Sequence, residues 1–98
     1  SLPDYQNLAR PLIEVFTLDS ATCAACGYML LAAQRAISEF GDRVEMVEYK
    51  MTKPENVARL NAMGIKNLPS IVINGDLKFS SLIPSNRELV AEIEKYLV

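Results

Sequence analysis

Cys23-Ala24-Ala25-Cys26 is the one cluster in this chain whose residue types and spacing amount to chemistry. Two cysteines three residues apart at the start of a helix place both sulfurs nearly on one face, at a Cα separation that a disulfide can bridge. The pair can therefore cycle between dithiol and disulfide. Cys23 falls at about the first helical position, where free backbone amides and the positive end of the helix dipole stabilise a thiolate. This is the route by which a thiol pKa drops below its usual value of about 8.5. Cys26, one turn deeper and on the apolar stripe, is expected to be the more protected sulfur. Thr22 is expected to cap the helix through its hydroxyl, and Thr22, Ala24 and Ala25 make up the supporting residues of the site.

Other readings of the pair compete with this one. A zinc or iron–sulfur site needs four ligands, and a chain with two cysteines and no histidine supplies half a set, so a metal or cluster would have to sit at a dimer interface. Burial as small core hydrophobes suits Cys26 but not Cys23 after a polar loop. A static disulfide closing so short a loop stabilises little. A Cys-X-X-Cys beside a strand–helix–strand pattern is instead a redox signal, with the disulfide itself as the only cofactor.

Composition narrows the remaining classes. The absence of histidine removes Ser-His-Asp and Cys-His nucleophile pairs. A net charge of -2 over 98 residues lacks the electrostatic footprint of a nucleic-acid or anionic-membrane binder. The longest apolar runs, such as Tyr28 to Ala33 and Leu68 to Ile73, fall far short of the roughly twenty residues that span a bilayer. Ser1 to Asn7 has no basic region leading into an apolar core, so no signal peptide is expected. A start on Ser1 is compatible with trimming or excision from a longer protein. The expectation is a soluble, cytoplasmic, monomeric domain.

The elements that must position the cysteines alternate along the chain. Leu12 to Leu18 is rich in β-branched and aromatic residues and reads as a buried strand. From Cys23 to Phe40, apolar residues recur at three- and four-residue steps, and Gly41 is expected to end this helix. Val44 to Tyr49 is a second strand. Thr52-Lys53-Pro54-Glu55 has capping-box spacing and opens a helix carrying Val57, Leu60 and Met63. Ser70 to Ile73 and Leu77 to Ser80 flank the turn Asn74-Gly75-Asp76 as a hairpin. Ser85-Asn86-Arg87-Glu88 is a second capping box, opening a helix striped by Leu89, Val90, Ile93 and Leu97. The order βαβαββα implies an α/β fold: a central four-stranded mixed sheet with helices on both faces. Right-handed crossovers would make the first three strands parallel and the fourth antiparallel at an edge. Two carboxylates, Glu14 and Asp19, are candidates to accept a proton from the cysteine pair.

With these elements in place, the chain resembles the thioredoxin-fold superfamily over about Ile13 to Val98, leaving residues 1–12 as an N-terminal arm or linker. Beside the cysteine pair, the resemblance is carried by Met63-Gly64-Ile65-Lys66-Asn67-Leu68-Pro69-Ser70, similar to the segment in which a glycine and aliphatic residues precede proline and a strand. The resemblance implies that Pro69 is cis and faces the sulfurs. It also implies that Cys23 attacks a substrate disulfide, that Cys26 resolves the mixed disulfide, and that Leu68 offers backbone groups to an extended substrate. The chain departs from the usual Trp-Cys-Gly-Pro-Cys-Lys by having Thr22 and Gly27 at the flanks. Thr17 stands six residues before Cys23, where thioredoxins carry a buried aspartate. Similarity to glutaredoxins extends to Ile13-Glu14-Val15-Phe16-Thr17 and Ile73-Asn74-Gly75. It stops at Leu77 to Leu82, where no Gly-Gly-Asp follows the turn. Electrons are thus expected from a protein reductase or a fused partner domain rather than from glutathione.

Overall fold

A computed structural model describes residues 2–97; Ser1 and Val98, the ends of the expected arm and domain, lie outside the described residues. The elements are β1 (Leu12–Thr17), α1 (Ala24–Ile37), β2 (Glu45–Lys50), α2 (Pro54–Ala62), β3 (Ser70–Ile73), β4 (Asp76–Ser80) and α3 (Asn86–Glu94), with one 3-10 turn at Gly41–Arg43 before β2. They form one sheet in the order β2-β1-β3-β4. Every residue of β1 is buried, as befits a central strand covered on both faces. Ile13 and Val15 face α1 and α3, packing with Met29, Ala33, Ala36, Leu89 and Ile93. Phe16 faces the opposite way, into a second cluster with Val72 and Ile65, against which Leu60 of α2 packs.

β1 runs parallel to β2 but antiparallel to β3, and β3 runs antiparallel to β4. The expectation of three parallel strands is therefore corrected at β3. The handedness rule fixes how a parallel crossover must turn, not whether a connection is parallel. Here the chain leaves α2 through residues 63–69 and enters β3 at the end where β1 finishes, pairing Ser70 with Phe16. β3 then runs back down β1.

Three local expectations also shift. α1 starts one residue later than expected, with Cys23 rather than Thr22 at the N-cap. It ends at Ile37 rather than at Phe40, and Ser38 is its C-cap, donating a side-chain hydrogen bond to the Arg35 carbonyl at 2.6 Å. Gly41, with φ of +60°, opens the 3-10 turn instead. At α2, Lys53 is the N-cap and makes no side-chain cap bond; Pro54 at the first position needs no amide partner, which lets the helix begin without the Thr52 box. The Ser85–Glu88 capping box is formed in both directions, at 3.1 Å and 2.9 Å.

The arm ahead of β1 is tied to the sheet through a buried carboxylate. Glu14 is fully buried on the α2 side of β1. Its two oxygens accept hydrogen bonds from the Tyr5 hydroxyl at 2.5 Å and the Tyr49 hydroxyl at 2.6 Å. The Arg59 guanidinium lies over the Tyr49 ring, 4.4 Å from its centroid. Desolvation first, and then the hydrogen bond to Glu14, push both phenols well above the ordinary tyrosine range. A raised folded-state pKa stabilises the fold fully below the unfolded value of about 10 and loses that contribution as pH climbs beyond it. Thermal melts should accordingly show falling stability above about pH 10, with less of the fall in a Tyr5→Phe variant.

Gly75 completes this clamp. It sits at φ of +86° after Asn74 at φ of 50°, the paired left-handed geometry of a tight hairpin turn. A Cβ built on it would lie 3.0 Å from the Tyr5 ring. Gly75→Ala should therefore both strain the turn and displace Tyr5, lowering stability by about 1–3 kcal/mol in urea unfolding.

Candidate active site

The end of β1 delivers the chain into the loop that carries the cysteines. Asp19 shapes that loop: its carbonyl accepts from the Thr22 amide at 3.1 Å and the Cys23 amide at 2.8 Å, and its carboxylate accepts from the Ala21 amide at 2.9 Å. The same carboxylate is ion-paired with Lys50 of β2 at 3.5 Å. Asp19 thus serves loop geometry. Cys23 has the extended backbone of an N-cap, φ -105° and ψ 115°, and its sulfur accepts from the Cys26 amide at 3.3 Å. A sulfur therefore fills the capping role usually taken by an oxygen, and an orphan helix amide points at the atom on which negative charge would form.

Cys23 and Cys26 are joined as a disulfide across a Cα separation of 5.2 Å. Their surroundings are unequal. Cys26 is fully buried, while Cys23 is half-buried at the surface. The Leu18 amide donates to the Cys26 sulfur at 3.3 Å, fixing the inner sulfur against the end of β1. Thr22, Ala24 and Ala25 are all exposed around the outer sulfur. A shallow groove beside Cys23 is lined by Thr22, Ala24, Gly27, Tyr28 and Leu31. Tyr28 is exposed, whereas Met29 packs in the core. A larger surface hollow lies at the other end of the sheet, between Tyr5, Arg10 and Tyr96, and includes neither cysteine.

Leu68 and Pro69 come to the cysteine end of the sheet by way of β3. The Leu68–Pro69 peptide bond is cis. Pro69 is buried, its carbonyl accepting from the Ser81 amide at 2.9 Å, and Leu68 packs against the Phe16 cluster. Ser70 is locked behind them, donating to the Asn67 carbonyl at 2.6 Å and lying 3.1 Å from the Ser80 hydroxyl. The prolyl loop is thereby held at the end of β1 from which the cysteine loop springs.

Of the two carboxylates singled out from the sequence, neither stands free beside the inner sulfur. Glu14 faces the opposite side of the sheet and is occupied by two tyrosines, and Asp19 is held in the loop turn and the Lys50 pair. The carboxylate on the cysteine side is Glu48 of β2. Its Oε2 accepts from the buried Thr17 hydroxyl at 2.5 Å and from the Ser20 amide at 3.2 Å, and its Oε1 accepts from the Ser20 hydroxyl at 2.9 Å. A usable signal was present in the alternation of β2: Glu48 shares its face with Met46, which packs on the α1 and α3 core.

Comparison with known proteins agrees with this geometry. Residues 12–94 match the family described as "Thioredoxin domain". A thioredoxin of Methanocaldococcus jannaschii is 36% identical over 90 residues, covering 92% of this chain and all of that protein. Among solved structures, thioredoxin-2 of the malaria parasite, described as a component of its protein secretion machinery, superposes with a TM-score of 0.69 at 22% identity, over 88% of this chain and 82% of that one. Oxidised thioredoxin O2 of Arabidopsis thaliana gives 0.67 at 14% identity, over 92% and 77%. At these identities the two structures speak for the fold.

Proposed function

Given that the chain belongs to the thioredoxin family and is a dithiol–disulfide oxidoreductase, we propose that Cys23 is its attacking thiol and Cys26 its resolving thiol. The observation that carries this assignment is the inequality of the two sulfurs: one half-buried at a helix N-cap with an amide aimed at it, the other fully buried behind it. A substrate disulfide reaches only the outer sulfur. Attack by the Cys23 thiolate forms a mixed disulfide and expels one substrate thiolate. Cys26 then attacks Cys23, releasing the second substrate thiolate and closing the internal disulfide.

The substrate is a protein disulfide presented in an extended segment. Leu68, ahead of the buried Pro69, supplies backbone groups to that segment, as a sheet edge accepts a strand, while Thr22, Ala24 and Ala25 form the exposed border of the attacking sulfur. The domain works as a monomer in a reducing, cytoplasmic setting. A protein reductase or a linked domain returns electrons to the disulfide. Among the described residues no helix is long and apolar enough to cross a membrane.

The test is turnover. With dithiothreitol as electron source, a catalytic amount of the chain should accelerate reduction of a disulfide-bonded protein well beyond dithiothreitol alone. No acceleration, with the fold intact, would leave a thioredoxin-fold module that docks without exchanging disulfides.

A further inference from the structure

Exposed apolar side chains scattered singly over a surface need no explanation, but a row of them does. Among the described residues, eight large hydrophobic side chains are exposed, and three of these, Tyr28, Leu31 and Ile83, border a single hollow of about 290 Å³. Tyr28 and Leu31 also border the shallow groove beside Cys23. The two depressions are thus one trough, which starts at the outer sulfur and runs along the outside of α1.

The helix period makes this trough. Tyr28, Leu31, Ala32 and Arg35 recur at three- and four-residue steps and form one stripe of α1, while Met29, Ala33 and Ala36 take the core side. Ile83 and Pro84, between β4 and α3, form the opposite wall; Pro84 is buried, and its ring fixes the backbone there. The far end is marked by Arg35, which is exposed and forms no ion pair among the described residues. Carboxylates from the neighbouring segments are engaged elsewhere. Glu39 accepts from the Asn86 side-chain amide at 2.7 Å, and Glu88 closes the cap of α3 at Ser85. A hollow of this size is at the lower limit for a cofactor-sized ligand and suits the side chains of an extended segment.

We propose that the trough sets substrate specificity: it holds the part of an extended substrate that leads away from the attacked cysteine, with an apolar side chain between Tyr28, Leu31 and Ile83 and a carboxylate at Arg35. The inference rests on Cys23 as the attacking thiol, which fixes the substrate cysteine at the head of the trough. Its length then sets the spacing. At about 1.5 Å per helical residue, Tyr28 and Leu31 centre about 10 Å from Cys23, and Arg35 stands about 18 Å from it. An extended segment advances about 3.3 Å per residue. The preferred substrate therefore carries a large apolar residue about three positions, and an acidic residue about five positions, from its reacting cysteine. Leu68 engages the segment near the cysteine itself, and the trough reads what lies beyond.

The test uses synthetic peptides with one cysteine, linked by a disulfide to nitrothiobenzoate. The Cys23 thiolate of the reduced chain attacks the peptide sulfur, and the coloured aromatic thiolate leaves with the electron pair, so stopped flow reads the attack directly. Each peptide carries leucine three residues and glutamate five residues from its cysteine, on the C-terminal side in one series and the N-terminal side in the other. In one of the two series, replacing leucine by serine should slow attack about 5-fold, the scale of one partly buried apolar side chain. Replacing glutamate by lysine should also slow it about 5-fold, the scale of an exposed ion pair. The glutamate preference should fade in about 0.5 M sodium chloride while the leucine preference persists. Arg35→Gln should erase the glutamate preference and Arg35→Glu should invert it. Tyr28→Ser combined with Leu31→Ser should erase the leucine preference. A parent chain indifferent to both replacements in both series, or variants that keep both preferences, would overturn the proposal. Release of the coloured thiolate at equal rates by the parent chain and Cys23→Ser would instead overturn the assignment of Cys23.

Discussion

Cys23→Ser should reduce catalysed disulfide exchange to the rate of the small-molecule reductant alone, whereas Cys26→Ser should keep one round of attack and then stall as a covalent adduct. The two substitutions remove the same atom type three residues apart, so the contrast between them isolates position. Cys23 is the surface sulfur with the Cys26 amide 3.3 Å away, and Cys26 is fully buried behind it. Loss of the outer thiol removes the only sulfur that a folded substrate can reach. Loss of the inner thiol leaves a nucleophile whose product has no neighbouring thiol to release it, and the mixed disulfide accumulates. Mass spectrometry of a reaction with a disulfide-bonded peptide checks this: one peptide equivalent on Cys26→Ser, none on Cys23→Ser. Equal adducts on both variants would mean that the sulfurs are interchangeable and that burial does not assign their roles.

The double variant Tyr5→Phe with Tyr49→Phe should be the most destabilising polar change in the molecule, at about 3–5 kcal/mol in urea unfolding. Both hydroxyls donate to Glu14, one to each oxygen, and the carboxylate is fully buried. Each single variant leaves one donor in place and should cost about 1.5–3 kcal/mol, the usual value of a hydrogen bond to a charged group. Removing both strands a charge in the interior, so the double should cost more than either single. Replacing the acid itself behaves differently. Glu14→Leu removes the buried charge along with its hydrogen bonds, leaves two partly exposed phenols that water can reach, and should stay within about 1 kcal/mol of the parent. A double variant as stable as the parent would mean that water had replaced both hydroxyls.

Most of the architecture was legible because its signals are local. The Asn74-Gly75 turn, the Ser85–Glu88 box and the apolar period of α1 each state their own geometry, and each is found in place. The direction of β3 was not local. It depends on where residues 63–69 carry the chain after α2, and no periodicity within β3 encodes that. The same limit explains the carboxylates. Glu14 sits in a strand apolar on both faces, so alternation could not say which way it points. Glu48 could have been placed by its parity with Met46, but its role depends on Thr17 and Ser20, which reach it from 31 and 28 residues away in the chain. The cysteine pair was visible from spacing alone, whereas its inequality had to be built. Cys23 displaces Thr22 as the helix cap, an exchange of sulfur for oxygen that residue preferences do not favour.

The Tyr5 clamp has a practical side. By pinning the arm over Gly75 and against Glu14, it anchors the front of the chain at the start of β1, while the disulfide stands past its finish, roughly 17 Å away at 3.3 Å per residue. Tyr96 and Leu97 border the same hollow as Tyr5, so the other described end of the chain is gathered at that pole too. A bead, an electrode linker or a dye carried on exposed Gln6 of that arm would therefore sit behind the molecule, with the redox face turned outward and unobstructed.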